Sequence, residues 1–236
     1  MTGTGSGFIV TGGTGALGQA VVRALLGRLK TRVAVPYRDR GGWDRLREAQ
    51  GHDPRVWGRP ADVADVTAAR EFTDEAAAWL GRLDGVAAVA GGYAGSGPLE
   101  GAPAGEWESM LRTNLESAYA TCRAALPHLL KQGGSVVTVA SRVAESGGSG
   151  AAAYAVSKAG VLALTRVLAL ENRRRGVRFN CVAPGTIDTP ANRRAMPDAD
   201  LSKWTPPERI ASVIAFLLSP ESAPVTGALL PVDAGA

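Results

Sequence analysis

Cysteine and histidine each occur only twice in 236 residues, and both scarcities exclude something. Cys122 and Cys181 cannot build the disulfide framework of a small secreted protein, and their apolar surroundings read as buried thiols in a reducing compartment. His52 and His128 stand in no ligand-spaced group with cysteine or carboxylate, so neither a metal site nor a metal hydrolase is expected. No apolar run approaches transmembrane length, and Met1 leads into TGTGSG rather than a basic stretch followed by apolar residues. No signal peptide and no membrane span are expected, and the expected compartment is the cytoplasm. No glycine-rich loop closes with GKS or GKT, which disfavours a phosphate-cradling loop of the NTPase type. Aromatic residues make up only 6%, and none interleaves with the densest basic run, Arg173-Arg174-Arg175. That run precedes Gly176, where a helix should end and cations suit the helix dipole. The formal charge of +4 is therefore no sign of a nucleic-acid partner, although a modest positive field can attract an anionic ligand.

What the chain does have is glycine, 30 residues of it, and strand and helix signals that alternate from end to end. Short apolar strands are predicted at 8–11, 32–36, 56–57, 85–90, 135–140, 177–183 and 228–232. Apolar residues at helical spacing predict helices at 17–29, 67–80, 106–130 and 154–175. A further helix should start at Thr205, with Thr205 as cap, Pro206 in the first helical position and Glu208 completing a capping box. Pro36 and Pro231 should mark strand ends. Strands separated by single helices imply βαβ crossovers and a doubly wound, mainly parallel sheet with helices on both faces. With no composition break, the expectation is one α/β domain over 1–236.

In such a sheet the ligand crevice lies beyond the carboxyl ends of the strands. The first of these ends carries Thr11-Gly12-Gly13-Thr14-Gly15-Ala16-Leu17-Gly18. Its glycines allow a tight turn into a helix N-terminus, whose free N–H groups can hold a pyrophosphate, and Gly18 permits close helix–strand contact. Placed between the first strand and a helix, the turn favours a dinucleotide. Asp62, after the third strand, reads either as an acceptor for an adenine amino group or as a helix-entry residue. The second strand ends in Pro36-Tyr37-Arg38. An acid there would bind both ribose hydroxyls, whereas Arg38 suits a 2′-phosphate, with Arg40 a second candidate. Asp39, one residue on, reads as a surface partner for Arg38 or Arg40.

Tyr154 and Lys158 are four apart near the start of a helix and so share a face. A nearby ammonium favours a phenolate, and Ser141, just past the fifth strand, can face the same crevice. Ordered along the chain are TGGTGALG at 11–18, Asp62-Val63, Asn114-Leu115, Ser141, YAVSK at 154–158, PGTIDT at 184–189 and TGALLPVDAG at 226–235. Twenty-seven residues separate Asn114 from Ser141 and 13 separate Ser141 from Tyr154. This order and spacing resemble the short-chain dehydrogenase/reductase family over nearly the whole chain.

The resemblance implies a Rossmann fold, a nicotinamide dinucleotide, and hydride transfer to or from a small carbonyl or alcohol substrate. It implies that Asn114 supports the active-site helix and a water in the proton relay, that Ser141 polarises the substrate oxygen, and that Tyr154 transfers the proton. Lys158 would support Tyr154 and the nicotinamide ribose. Cofactor contacts would come from Gly12, Thr14, Gly15, Ala16, Leu17 and Gly18. Tyr37, Arg38, Asp62 and Val63 would add to them, as would Ala90, Gly91 and Gly92 after the fourth strand. Pro184 and Gly185 would flank the nicotinamide beside Ile187, with Thr189 at its carboxamide. NADP(H) is favoured over NAD(H), and a homotetramer or homodimer is expected.

Two positions depart from the family pattern. Ala16 replaces the second motif glycine, and Ala88-Val89-Ala90-Gly91 replaces the usual Asn-Asn-Ala-Gly, which puts the amides' strand-stabilising contacts in doubt. TGGTGALG, VAGGYAG at 89–95 and the stretch 188–206 resemble one branch of the family, the quinonoid dihydropteridine reductases. That branch lacks the serine and carries an acid after its second strand. Ser141 and Tyr37-Arg38 therefore favour an ordinary carbonyl/alcohol oxidoreductase. The loop 186–204 reads as a substrate lid, or as a solvent-facing segment packed down by Met196 and Leu201, with Trp204 as a hinge-side anchor or a core aromatic.

Overall fold

The computed structural model describes residues 5–233. Residues 1–4 and 234–236, with the end of the 226–235 motif, lie outside the described residues. The strands are β1 (Gly7–Thr11), β2 (Arg32–Tyr37), β3 (Val56–Pro60), β4 (Gly85–Ala88), β5 (Gly134–Val139), β6 (Val177–Pro184) and β7 (Leu229–Val232). They form one sheet in the order β3-β2-β1-β4-β5-β6-β7, and every pairing is parallel. The helices are α1 (Ala16–Leu26), α2 (Arg40–Ala49), α3 (Val66–Leu80), α4 (Glu106–Met110), α5 (Ser117–Leu129), α6 (Val143–Ser146), α7 (Ala152–Asn172), α8 (Pro190–Ala195) and α9 (Pro207–Leu218).

The period-2 alternation of strand side chains divides the core in two. Phe8, Val10, Val33, Val35, Val137 and Val182 face α1 and α9, with Leu17, Val21, Leu25, Ile210 and Ile214. Ile9, Ala34, Val86, Val136 and Phe179 face the opposite way, onto Phe72 and Ala76 of α3 and Cys122, Ala125 and Leu129 of α5. A sheet apolar on both faces has to be covered twice, so the fold is the doubly wound α/β architecture. Both cysteines are free and buried, as read, and burial pushes the Cys122 thiol up to about 12.

Several local expectations are corrected. The sequence reading contained no helix between β2 and β3, yet α2 fills that crossover, capped by Asp39. The long 106–130 helix is broken by a π-helical segment, Leu111–Glu116, which carries Asn114. The capping box at 205–208 does not form. Thr205 is buried, and its hydroxyl donates to the Val232 carbonyl at 3.4 Å. Pro206 becomes the cap residue of α9 and lacks any side-chain cap bond. One helix also exceeds expectation: α7 is long and apolar enough to cross a membrane by length and composition, with mean hydropathy 1.4. In the fold it packs on β6, and Ser157, Lys158, Val161, Leu162, Thr165 and Ala169 form an inward stripe at helical spacing.

Candidate active site

Strand order reverses around β1, and a cleft of about 1030 Å³ opens there at the carboxyl ends of the strands. At one end lies the glycine turn, where Gly12, Thr14, Gly15, Ala16, Leu17 and Gly18 all line the cleft. Gly12 has φ +67°, a left-handed conformation that glycine adopts without strain. A Cβ on Gly18 would stand 2.0 Å from the Gly12 carbonyl oxygen, so α1 meets the turn at backbone contact. Ala16 is accommodated because it opens α1 with its methyl exposed. No side chain caps α1, leaving its first-turn N–H groups to the cleft. That uncapped cradle fits a pyrophosphate.

Next along the cleft, Tyr37 is buried and stacked on Trp43 at 5.0 Å, and Arg38 lines the wall. Asp39 turns aside to cap α2, accepting from the N–H groups of Gly41 at 3.2 Å and Gly42 at 2.6 Å. Its ion partner is Arg45 at 3.7 Å, not Arg38 or Arg40. Arg40 points to Asp44 at 3.0 Å, and the second arginine lining this end is Arg45. Asp62 and Val63 also line the cleft. Asp62 is not the helix cap, since Asp65 accepts the α3 bond from the Ala68 N–H. Burial raises the Asp62 carboxyl, but the Ala64 N–H and the Arg112 guanidinium at 2.6 Å outweigh it and hold the group below the usual carboxylate range.

Beyond β4, Ala90, Gly91, Gly92 and Tyr93 form the cleft's floor. Two anchors hold this loop. Thr11 Oγ1 accepts from the Ala90 N–H at 3.3 Å. Asn114 clamps Gly92 reciprocally, accepting from its N–H at 2.9 Å and donating to its carbonyl at 3.1 Å. Asn114 also donates to Ser157 Oγ at 3.1 Å. It is buried behind the floor and outside the cleft's lining, so it ties the loop to α7.

Ser141, Tyr154 and Lys158 come together on the opposite wall. Burial pushes the Tyr154 phenol up. The Ser141 hydroxyl beside it acts the other way, and Tyr93, edge-on at 4.9 Å, adds to the rise. The expected lowering by Lys158 is not what sets this phenol. Lys158 is itself buried, its Nζ donates to the Val139 carbonyl at 2.9 Å, and burial holds it down to about 8. A phenol so placed stays protonated at neutral pH and can donate a proton.

Pro184, Gly185, Ile187 and Thr189 line the last stretch. Thr189 Oγ1 accepts from the Asn192 N–H at 3.1 Å and so caps α8, while the Asn192 amide donates to the Ile187 carbonyl at 2.8 Å. Met196 lines the cleft, but Met196 and Leu201 are each 41% exposed and do not pack the segment down. Trp204, at 6%, is a core aromatic. Among the described residues no metal-binding cluster occurs. The sequence reading missed Arg45, Tyr93, Arg112, Arg142, Asn192 and Arg194, all of which line the cleft. For Arg45 the signal was the Asp39 cap.

A dinucleotide-type turn facing a serine, a tyrosine and a lysine across the crevice of a parallel α/β sheet defines an oxidoreductase. The chain belongs to the short-chain dehydrogenase/reductase family. A family model described as enoyl-(acyl carrier protein) reductase matches residues 14–236. The chain is 35% identical over 241 residues to a 4-formylbenzenesulfonate dehydrogenase of Comamonas testosteroni, covering 96% of each protein. It is 30% identical over 236 residues to a 3-oxoacyl-[acyl-carrier-protein] reductase of Thermotoga maritima, again covering 96% of each. Among solved structures, levodione reductase superposes with a TM-score of 0.88 at 28% identity, over 98% of this chain and 96% of that one. The protein is therefore an enzyme of this family, which uses nicotinamide dinucleotides.

Proposed function

We propose that this enzyme reduces a ketone or aldehyde, or oxidises the matching alcohol, with Tyr154 as general acid/base and NADP(H) preferred over NAD(H). The observation that carries the reading is the convergence of Ser141, Tyr154 and Lys158 opposite the glycine turn of one cleft. When bound there, the nicotinamide supplies or accepts the hydride. Ser141 donates to the substrate oxygen, and Tyr154, kept protonated by burial, gives its proton to that oxygen as alkoxide charge develops. Lys158 would hold the ribose of a bound cofactor, and Asn114 positions the floor loop against α7. Pro184, Gly185, Ile187 and Thr189, which line that stretch of the cleft, would hold the nicotinamide end of the cofactor. Names of relatives that act on a formyl or a 3-oxo group support the carbonyl reading. Ser141 beside Tyr154 favours it over a dihydropteridine-type reductase, and the intact wall disfavours an inactive scaffold. One domain of 1–236, a lid at 186–204 and a cytoplasmic location complete the proposal.

NADP(H) is favoured because Arg38 and Arg45 line the end of the cleft nearest β2, while the neighbouring acid, Asp39, is engaged by α2. A substrate panel assayed with both reduced cofactors tests reaction and preference together. The expected result is carbonyl turnover with NADPH favoured about tenfold or more. That ratio should fall in Arg38→Ala and fall again in the Arg38→Ala/Arg45→Ala double variant. Preference for NADH in the wild type would reverse the assignment.

A homotetramer or homodimer is proposed from the apolar residues that α5 and α7 leave outside. Tyr119 is 43% exposed, Val156 47%, Val167 50% and Leu170 72%. Residues 156, 167 and 170 share one face of α7. Light-scattering mass across a concentration series should give two or four chains. A monomer throughout would count against it.

A further inference from the structure

The cleft is lined by five arginines, Arg38, Arg45, Arg112, Arg142 and Arg194, and by one acid, Asp62. Most of these charges have partners. Arg112 holds Asp62. Arg142 lies 3.3 Å from Asp233 and 3.7 Å from Glu145. Arg38 and Arg45 stand with β2 and α2, at the far end from Ser141 and Tyr154. Arg194, like Arg38, makes no ion pair among the described residues, but unlike Arg38 it lies in the segment that borders the reacting wall.

The reason is local. A cation in the last turn of a helix is favoured by the helix dipole, which accounts for Arg193 and Arg194 both ending α8. It does not account for which of them faces the cleft. Asp188 settles that, taking Arg193 with two bonds of 2.6 and 2.7 Å. The next residue is turned by about 100° and enters the cleft's lining. Lys203, the other cation of the segment's second half, pairs with Asp200 at 3.8 Å. Thr189 caps the start of α8, so Arg194 is about 7.5 Å farther along the segment, on the side of Met196.

We propose that the substrate carries an oxyanion, a carboxylate or a sulfonate, held away from its reacting carbonyl or alcohol carbon and paired with Arg194. The inference rests on the reading of Ser141 and Tyr154 as the reacting wall. Such a group supplies a counter-charge to Arg194, the one lining arginine of that end without an ion pair among the described residues. It orients the substrate from the end opposite its reacting oxygen, leaving the reacting oxygen to Ser141 and Tyr154. Arg194 is thereby a specificity-determining residue, and a neutral substrate of the same shape forfeits the contact.

The test compares 4-carboxybenzaldehyde with its methyl ester, rigid probes that differ in the charge opposite the formyl group. In the wild type at saturating reduced cofactor, kcat/KM should favour the acid about tenfold or more, and added salt should erode the preference. Arg194→Gln should bring the ratio close to one through the KM of the acid, and Arg194→Lys should keep part of it. Calorimetric titration of both probes into the enzyme bearing oxidised cofactor gives the same comparison without turnover. Equal or weaker handling of the acid by the wild type overturns the proposal. So does an Arg194→Gln defect confined to the dissociation constant of the cofactor, which would assign Arg194 to the phosphates. Loss of the ester's turnover in Tyr154→Phe reports on the reaction itself, so the two readings fail separately.

Discussion

Replacing Tyr154 by Phe is expected to lower kcat by about 10²- to 10⁴-fold while leaving cofactor affinity and the unfolding midpoint close to wild type. The substitution removes one hydroxyl and keeps the ring that packs edge-on against Tyr93. The hydroxyl's influence falls on Ser141 and on a bound substrate oxygen, not on the core. The direction of its pKa adds a condition. Because burial pushes the phenol up, with Tyr93 adding to this and Ser141 opposing, the proton is present across neutral pH. Reduction should therefore run well near pH 7, and alcohol oxidation, which needs the phenolate, should rise with pH over the same range. Rates in a folded Tyr154→Phe protein within a few fold of wild type would remove Tyr154 from the mechanism.

How much of this could be read beforehand depended on whether a residue's role is local. The strands were legible because a sheet buried on both faces demands apolar runs such as Phe8-Ile9-Val10 and Val136-Val137. The need for glycine at 12 and 18 was legible because both constraints lie within one turn. The helix α2 was not, since Gly41 and Gly42 in its first turn obscure the amphipathic pair Trp43 and Leu46, and with the helix went Arg45. Thr205 misled for the opposite reason. Its neighbours make a good local capping signal, but a long-range bond to Val232 and a backbone bond to Thr186 hold it elsewhere. The clamp of Asn114 on Gly92 joins residues 22 apart. No reading of either segment alone shows it. The fate of the arginines was equally non-local: Arg40, Arg112, Arg193 and Arg194 look alike in sequence and are sorted only by which carboxylate each one finds.

Lys158→Met should separate activity from stability. Activity is expected to fall about a hundredfold or more, because the variant loses the ribose donor beside the reacting wall. Stability should respond to pH in a way that identifies the lysine as a buried base. Burial holds its pKa down at about 8, against 10.5 for an ordinary lysine. Below about pH 8 both folded and unfolded chains carry the proton, and the folded state bears the full cost of a buried ammonium. Between about 8 and 10.5 the unfolded chain binds a proton that the folded one does not, so wild-type stability gains with rising pH across that window. Integrated, the gain is about 3 kcal/mol. The methionine variant has no such gain. It also loses the bond to the Val139 carbonyl, but that loss is a constant offset. The difference in unfolding free energy between the two proteins should thus move in the wild type's favour from about pH 7 to about pH 10.5, measured by urea titration at several pH values. Parallel stability curves would show that Lys158 ionises as a solvated lysine, and the argument that burial tunes this wall of the cleft would fall with it.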